Sequence, residues 1–425
     1  MQLTDYRKIL VVATVTAVLG TMPGCGKQSP KPETQKANPA PVVTAKKPVA
    51  LPPATAAKPA GSAELIASQT TAGKVDISLQ NEAKAAIQRG LKWLASHQKE
   101  NGAWSNEDFP ALTALPLWAF SWGEHPDKDK ITSNAVAFIL GSVQADGGIY
   151  RNVEAKGGGL ANYNTAICMT GLHATGKPEL GAVVRKAREF VAAGQHTGDD
   201  VYNGGMGYDK ATGRQYADLS DTVIAVEAMR FTQSAEDNRP AGEKRADLKW
   251  QGVTQFLGHV QNDASTGPSN AGGFAYRPEE SKAGTTTNAD GTVVFRSYGS
   301  MTYAGLLTLI YADVDRKDPR VRSAFEWTVR HWTLNENPGM GQEGLYYFYN
   351  VLTKALSAYG QDMITREDGT KLDWRTEVVR KLINLQKIDP ATGEGYWIND
   401  AGRWWEADPV LTTSYVLIAL EAATR

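Results

Sequence analysis

Cysteine and histidine are scarce in this chain of 425 residues, which has 2 cysteines and 6 histidines. So few metal-binding side chains, scattered along the sequence, leave little room for a metal centre, and we expect neither a metal nor another cofactor. No sign of charge dominates, because 45 lysines and arginines are balanced by 46 aspartates and glutamates. A net charge of −1 gives no electrostatic basis for binding nucleic acid.

The apolar run near the N-terminus is too short to span a bilayer. It follows Arg7 and Lys8 and covers about 12 residues, from Ile9 to Gly20, which is typical of a signal-peptide core. The next segment, Met22-Pro-Gly-Cys25, resembles a bacterial lipobox, with Met and Pro in place of the usual Leu and small residue. The sequence therefore predicts an exported protein of the periplasm or cell envelope, anchored to the membrane through a lipid on Cys25. Export without lipidation and an uncleaved membrane anchor are the alternatives.

Residues 26–78 contain few aromatic side chains and much proline, alanine and lysine. Such a composition buries little apolar surface, so it predicts a disordered linker. We accordingly divide the chain into a signal peptide with a lipobox at 1–25, a linker at 26–78 and a folded domain at 79–425.

Within the folded domain, an apolar helical stretch runs into a glycine–aromatic turn six times. The two clearest turns are Gln98-Lys-Glu-Asn-Gly102-Ala-Trp104 and Gln144-Ala-Asp-Gly-Gly148-Ile-Tyr150. Looser copies end at Tyr208, Tyr276, Gln342 and Trp397. Repeats with periods of roughly 45 to 70 residues predict a stack of helical hairpins.

The helices on either side of these turns have recognisable signals. Apolar residues from Ile87 to Ala95 recur at the spacing of an amphipathic helix. Residues 345–359 are predicted as the second helix of the fifth pair. Side-chain oxygens suited to capping the second helices are supplied by three segments: Asn164-Thr165, Ser220-Asp221-Thr222 and Ser300-Met-Thr302.

The segment from Gln98 to Trp104 resembles the QW repeat of squalene–hopene cyclases. Tyr163-Asn-Thr-Ala166 and Asp221-Thr-Val-Ile224 resemble inner-helix starts in the toroid shared by terpenoid cyclases and protein prenyltransferase β-subunits. The resemblance covers roughly residues 80 to 425. It implies an all-α fold, an (α/α)6 toroid of about six helical hairpins with the inner helices around a central cavity.

The resemblance also directs attention to Asp218-Leu-Ser220-Asp221-Thr222. Class II terpene cyclases protonate an alkene with the middle Asp of an Asp-x-Asp-Asp-Thr motif, and this position is Ser220 here. A serine hydroxyl is far too weak an acid for that step. Asp218 and Asp221 remain the candidate catalytic residues, with helix capping as the alternative. Zinc-dependent prenyl transfer is disfavoured, because Cys168 has no histidine at ligand spacing.

Aromatic and polar residues at or near inner-helix starts and on the last loop are candidates for binding a ligand, with core packing as the alternative. They are Tyr163, Asn164, Tyr303, Tyr346, Tyr347, Trp404, Trp405 and Tyr415. Aromatic faces suit an apolar or sugar-like molecule.

Several functions remain open at this point. The preferred one is a lipid-anchored toroid protein that lacks the proton donor and binds an apolar, terpenoid-like ligand. The alternatives are a cyclase-like enzyme of unfamiliar chemistry, a sugar-processing enzyme using Glu343, Glu406 or Asp408, and a non-catalytic scaffold.

Overall fold

The computed structural model of the chain describes residues 75–153, 159–209 and 217–425. The predicted signal peptide, the lipidation site Cys25 and the linker up to residue 74 lie outside the described residues. The described part contains twelve α-helices in six consecutive hairpins. The first helices of the hairpins are α1 (Ile77–Ser96), α3 (Lys128–Leu140), α5 (Gly181–Ala193), α7 (Trp250–Val260), α9 (Pro319–Arg330) and α11 (Trp374–Asn384). The second helices are α2 (Ala111–Trp122), α4 (Ala161–Ala174), α6 (Leu219–Phe231), α8 (Gly299–Tyr311), α10 (Leu345–Tyr359) and α12 (Pro409–Thr424).

The second helices form a closed inner ring. Each packs against the next in the order α2, α4, α6, α8, α10 and α12, and α12 packs against α2. Of the 13 residues of α8, 12 are buried, whereas only 4 of the 12 residues of the outer helix α9 are. A helix that is covered on all sides is apolar all round, whereas an outer helix buries a single stripe. The predicted (α/α)6 toroid is confirmed.

A threonine in the first turn of five inner helices holds the preceding glycine–aromatic turn. The hydroxyls of Thr113, Thr165, Thr222, Thr302 and Thr413 accept hydrogen bonds from the backbone N–H groups of Trp104, Ile149, Met206, Phe274 and Trp397. The distances are 2.8 to 3.1 Å. These buried N–H groups would otherwise have no partner, at a cost of about 1–3 kcal/mol each. The threonine hydroxyls therefore act as acceptors for the backbone of the turn. This role differs from the helix capping that the sequence predicts.

Glutamines near the ends of outer helices connect neighbouring hairpins. Gln98, Gln195, Gln261 and Gln386 donate to carbonyl groups of Ile131, Lys249, Arg320 and Ala86, each in or next to the following outer helix around the ring. The bond from Gln386 joins α11 to α1 across 300 residues of sequence and so links the two ends of the ring. Gln144 differs, because it bonds Ser142 and Tyr150 of its own turn.

One glycine of these turns is fixed by close backbone packing. Gly204 has φ +91°, and a Cβ atom there would lie 1.9 Å from the carbonyl carbon of Gly252 in α7. Only glycine allows both the left-handed conformation and this approach.

Three short antiparallel hairpins lie in the connections. They pair β1 (Thr285–Thr287) with β2 (Val293–Phe295), β3 (Met363–Thr365) with β4 (Lys371–Asp373), and β5 (Lys387–Ile388) with β6 (Gly395–Tyr396). No helix in the described part of the chain combines the length and the apolar character needed to cross a bilayer.

Candidate functional site

A cavity of about 460 Å³ lies on the ring axis. The first two turns of all six inner helices line it, through residues such as Ala111, Tyr163, Ser220, Met301 and Leu411. The inner helices therefore point their N-terminal ends at the cavity. A volume of this size is in the usual range for small-molecule sites, about 300–1,000 Å³.

The cavity wall is mostly aromatic. Nine rings contribute to it, from Phe109, Tyr163, Tyr208, Tyr276, Tyr298, Tyr347, Trp404, Trp405 and Tyr415. Tyr163 stacks on Tyr208 with ring centroids 5.9 Å apart, and Phe109 meets Trp405 edge-on at 5.2 Å. Lys282 and Glu406 are the charged side chains of the lining. Such a wall suits a ligand with an extensive apolar surface.

Tyr347, Tyr415 and Ile224 form the floor of the cavity, since they also line a second chamber of about 30 Å³ farther along the axis. In the lining of this chamber, Glu227 of α6 and Lys354 of α10 form an ion pair of 2.9 Å in which both side chains are largely buried. The Lys354 ammonium also lies 4.5 Å from the centre of the Trp118 ring in α2. These contacts fill the lumen at the C-terminal half of the inner helices.

Asp218 and Asp221 are buried behind the wall at the start of α6 and do not line the cavity. The Asp218 Oδ1 atom caps the helix by accepting from the Asp221 N–H at 2.9 Å. Among the described residues, the other oxygen of Asp218 and both oxygens of Asp221 have no hydrogen-bond partner. Asp218 is thus the residue that caps the helix, and Asp221, the other candidate for that role, lies in its first turn.

The surroundings of the two carboxyl groups oppose the simultaneous ionisation of both. Burial raises the pKa of Asp218. Burial, together with the nearby negative charge of Asp218, raises the pKa of Asp221 well above its ordinary value. Two close, desolvated carboxyls share a proton. The proton of the pair is therefore favoured on Asp221, although Asp221 sits at a helix N-terminus that would favour its charge.

Between these two acids in sequence, Ser220 turns the other way and lines the cavity. Its hydroxyl influences the pKa of both Tyr208 and Tyr347, which places it among the phenols of the wall. The position facing the cavity thus carries a hydroxyl, and the carboxyls on either side of it face protein.

The mouth of the cavity is covered by a turn at Trp404 and Trp405. Both residues have left-handed backbones, with φ 54° and 69°, and their side chains are 42% and 48% exposed. Such conformations cost about 1–2 kcal/mol for a non-glycine residue. The adjacent Glu406 holds the turn in place, because its carboxylate accepts hydrogen bonds from the N–H groups of Tyr346 and Tyr347 at the start of α10.

The structure brings five of the eight predicted ligand-binding residues to the cavity: Tyr163, Tyr347, Trp404, Trp405 and Tyr415. It places the other three elsewhere. Asn164 is buried and accepts from the Ala111 N–H at 2.9 Å. Tyr303 packs on Phe348, and Tyr346 packs on Tyr349, both inside the helical layers.

Four aromatic residues of the wall are missing from the sequence prediction. Tyr208 and Tyr276 end two of the glycine–aromatic turns, so the repeat pattern contains the signal that would identify them. Phe109 and Tyr298 immediately precede inner helices, in long connections without periodicity. In the sequence, only their position one or two residues before the start of an inner helix indicates that they could line the cavity.

The carboxylates of the sugar-processing alternative are engaged in other contacts. Glu406 accepts from two backbone N–H groups and from the Asn399 amide. Asp408 caps α12 by accepting from the Val410 N–H, and Glu343 pairs with Arg403 at the surface. Of the three, only Glu406 lines the cavity. Across residues 75–153, 159–209 and 217–425, no three His, Cys, Asp or Glu side chains are grouped as metal ligands would be.

No protein-family model matches the chain, and no curated protein sequence does. Solved structures match it over most of its length. The type II terpene cyclase MstE from Scytonema, without ligand, is 12% identical and aligns over 81% of this chain and 98% of its own, with a TM-score of 0.52. A Tyr-to-Phe variant of that enzyme, also without ligand, is 12% identical over 82% of this chain and 99% of its own, with a TM-score of 0.50.

The chain has a terpene-cyclase-like fold. At 12% identity the likeness extends to the arrangement of the helices and no further. The chemistry has to be argued from the cavity itself.

Proposed function

We propose that this protein binds an apolar, terpenoid-like molecule in the axial cavity and does not cyclise it by protonation. The observation that carries the proposal is the wall of nine aromatic rings around a volume of about 460 Å³. Aromatic faces bind an extended hydrocarbon through burial of apolar area, worth about 25 cal/mol per Å².

Ser220 supports the second half of the proposal. It occupies the position of the proton donor in the motif that the sequence resembles, and it is the residue of that segment that lines the cavity. Burial and the nearby Asp218 raise the pKa of Asp221 and so favour its protonated form, but the side chain packs behind the wall and does not present a proton to a ligand in this conformation. A general acid has to come within hydrogen-bond reach of the atom it protonates.

We further propose that the glycine–aromatic turns are degenerate QW repeats and that the protein is an exported lipoprotein of the cell envelope. The short apolar run and the sequence up to Cys25 support export and lipidation. Expression of the full chain with radiolabelled palmitate tests this, since label should enter the wild type and not the Cys25→Ala variant. Equal labelling of the two would refute lipidation at Cys25.

The ligand is tested by extracting lipids from the purified protein and identifying them by mass spectrometry. A matched pair of variants separates cavity binding from surface adsorption. Met301→Trp adds bulk to the cavity wall, whereas Val293→Trp adds the same ring to the exposed strand β2, away from the cavity. We expect a terpenoid in extracts of the wild type and of Val293→Trp, and its loss from Met301→Trp.

A turnover assay with squalene separates binding from catalysis. We expect squalene to be recovered unchanged. A cyclised product that Asp221→Asn abolishes would instead establish the enzyme alternative. Extracts without any specific apolar molecule, together with no binding of added squalene, would favour the scaffold.

A further inference from the structure

We propose that the ligand of the axial cavity carries a neutral oxygen atom, a hydroxyl or carbonyl group, that accepts a hydrogen bond from the Tyr347 hydroxyl. This inference rests on the proposed function and narrows it from apolar molecules in general to oxygenated ones. It assigns to Tyr347 the discrimination between a terpenoid alcohol or ketone and the corresponding hydrocarbon.

The first observation is a missing partner. The Tyr347 hydroxyl is buried and its proton has no acceptor among the described residues. Burial raises the pKa of this phenol, and the nearby Ser220 hydroxyl acts in the opposite direction, as a donor to the phenol oxygen does. The neighbouring phenols differ, because the hydroxyls of Tyr163 and Tyr415 lie 3.5 Å apart and can bond each other. A buried hydroxyl whose proton has no acceptor is destabilising, so it is expected to meet an acceptor in the occupied state.

The second observation is the position of this hydroxyl. Tyr347 lies in the first turn of α10 and forms part of the cavity floor, where a ligand that enters from the mouth at Trp404 ends. Ser220, which lines the same cavity, influences the pKa of Tyr347, so the two hydroxyls are neighbours. An oxygen on the inner end of the ligand would therefore lie between two hydroxyl groups in an otherwise aromatic site.

The third observation concerns charge. Burial raises the pKa of the Tyr347 phenol, which therefore remains a hydrogen-bond donor at physiological pH. The Asp218–Asp221 pair, which shares one proton, influences the Tyr208 phenol with the negative charge that remains. This charge disfavours an anionic group such as a carboxylate or phosphate in the cavity, whereas the charge of Glu227 is offset by Lys354. A neutral acceptor fits both the donor and the surrounding charge.

The test compares two probes that differ only in the oxygen, geranylgeraniol and its deoxy hydrocarbon. Binding to the full-length protein is followed by quenching of tryptophan fluorescence. We expect the wild type to bind the alcohol about tenfold more tightly, because the hydrocarbon leaves the buried phenol unpaired. Tyr347→Phe should bind both probes equally, since it removes the donor and keeps the ring.

Tyr359→Phe is the matched control. It makes the same change in the last turn of the same helix, away from the cavity, and should preserve the tenfold preference. Equal affinity of the wild type for both probes, or an unchanged preference in Tyr347→Phe, overturns this inference and leaves the proposed function standing. Such a result would mean that water in the 30 Å³ chamber satisfies the phenol. Failure of both probes to bind overturns the proposed function and this inference with it.

Discussion

Replacing Asp221 by asparagine should stabilise the protein, and increasingly so as the pH rises. The side chain is buried, and neither of its oxygens has a hydrogen-bond partner in the described part of the chain. Asparagine has nearly the same shape and carries no charge. Its amide also offers a donor to the unpartnered oxygen of Asp218.

The sign of the pH dependence follows from proton uptake. In the unfolded chain Asp221 loses its proton near its ordinary pKa of 3.8, whereas in the folded protein burial keeps the proton bound to a much higher pH. Between these two pKa values folding takes up one proton, so rising pH lowers the free energy of unfolding of the wild type. The loss is about 1.4 kcal/mol for each pH unit in this window.

The asparagine variant lacks this proton uptake. We expect the free energies of unfolding of wild type and Asp221→Asn to lie close together at pH 4 and to separate by about 1.4 kcal/mol per pH unit above it. The new amide bond to Asp218 adds about 0.5–1.5 kcal/mol that does not depend on pH.

Urea unfolding between pH 4 and 8, followed by tryptophan fluorescence, measures the difference. The control is Asp127→Asn, since Asp127 is exposed and makes no capping hydrogen bond through its side chain. Its effect should be small and independent of pH. Parallel stability profiles for wild type and Asp221→Asn, or a variant that is less stable than wild type at pH 7, would refute the argument that Asp221 is a buried neutral acid.

The remaining predictions concern the hydrogen bonds and backbone contacts that connect the hairpins of the ring. Gln386→Ala should lower the free energy of unfolding by about 1–2 kcal/mol and speed hydrogen exchange in both α1 and α11. Gln144→Ala should speed hydrogen exchange only in its own turn. If Gln386→Ala also changed hydrogen exchange only near the substitution, Gln386 would not link the two ends of the ring. Gly204→Ala should lower the free energy of unfolding by about 3 kcal/mol or more, because the new Cβ clashes with backbone and the φ is strained. Gly242→Ala should lower it by only about 1–2 kcal/mol, because Gly242 has a similar φ but open space around it. Equal losses of stability in urea unfolding would contradict this. Thr222→Val should cost about 1–3 kcal/mol by leaving a buried N–H unpaired, and a neutral effect on unfolding would show that the turn finds another acceptor.

The sequence contains most of the information that specifies the fold. The fifth inner helix was predicted at residues 345–359 and is observed as Leu345–Tyr359. The repeated glycine-containing turns predict six hairpins, although only the first two turns share the same spacing and the fifth ends at Gln342 without an aromatic residue. The prediction that the ring closes rests on the family resemblance. Hydrophobic periodicity describes each helix separately and does not indicate which helices are in contact.

The site was predictable only in part, for a physical reason. Inner helices are buried on all sides, so apolar periodicity cannot tell a residue that faces the axis from one that faces the outer layer. Tyr303 and Tyr347 both lie near the start of an inner helix, yet only Tyr347 lines the cavity. Residues in the long connections, such as Tyr298, reach the cavity through the path of the backbone, which no local pattern encodes.

The bond from Gln386 to Ala86 has a consequence for biosynthesis. It joins a residue near the beginning of the ring to one 300 positions later, and α12, which fills the gap between α10 and α2, is the last of the twelve ring helices in chain order. Until α12 has been synthesised, the nascent chain is an open arc with the apolar flanks of α2 and α10 uncovered. We therefore expect a chain truncated before Pro409 to be a substrate for chaperones and proteases, because the ring closes only once α12 has been synthesised.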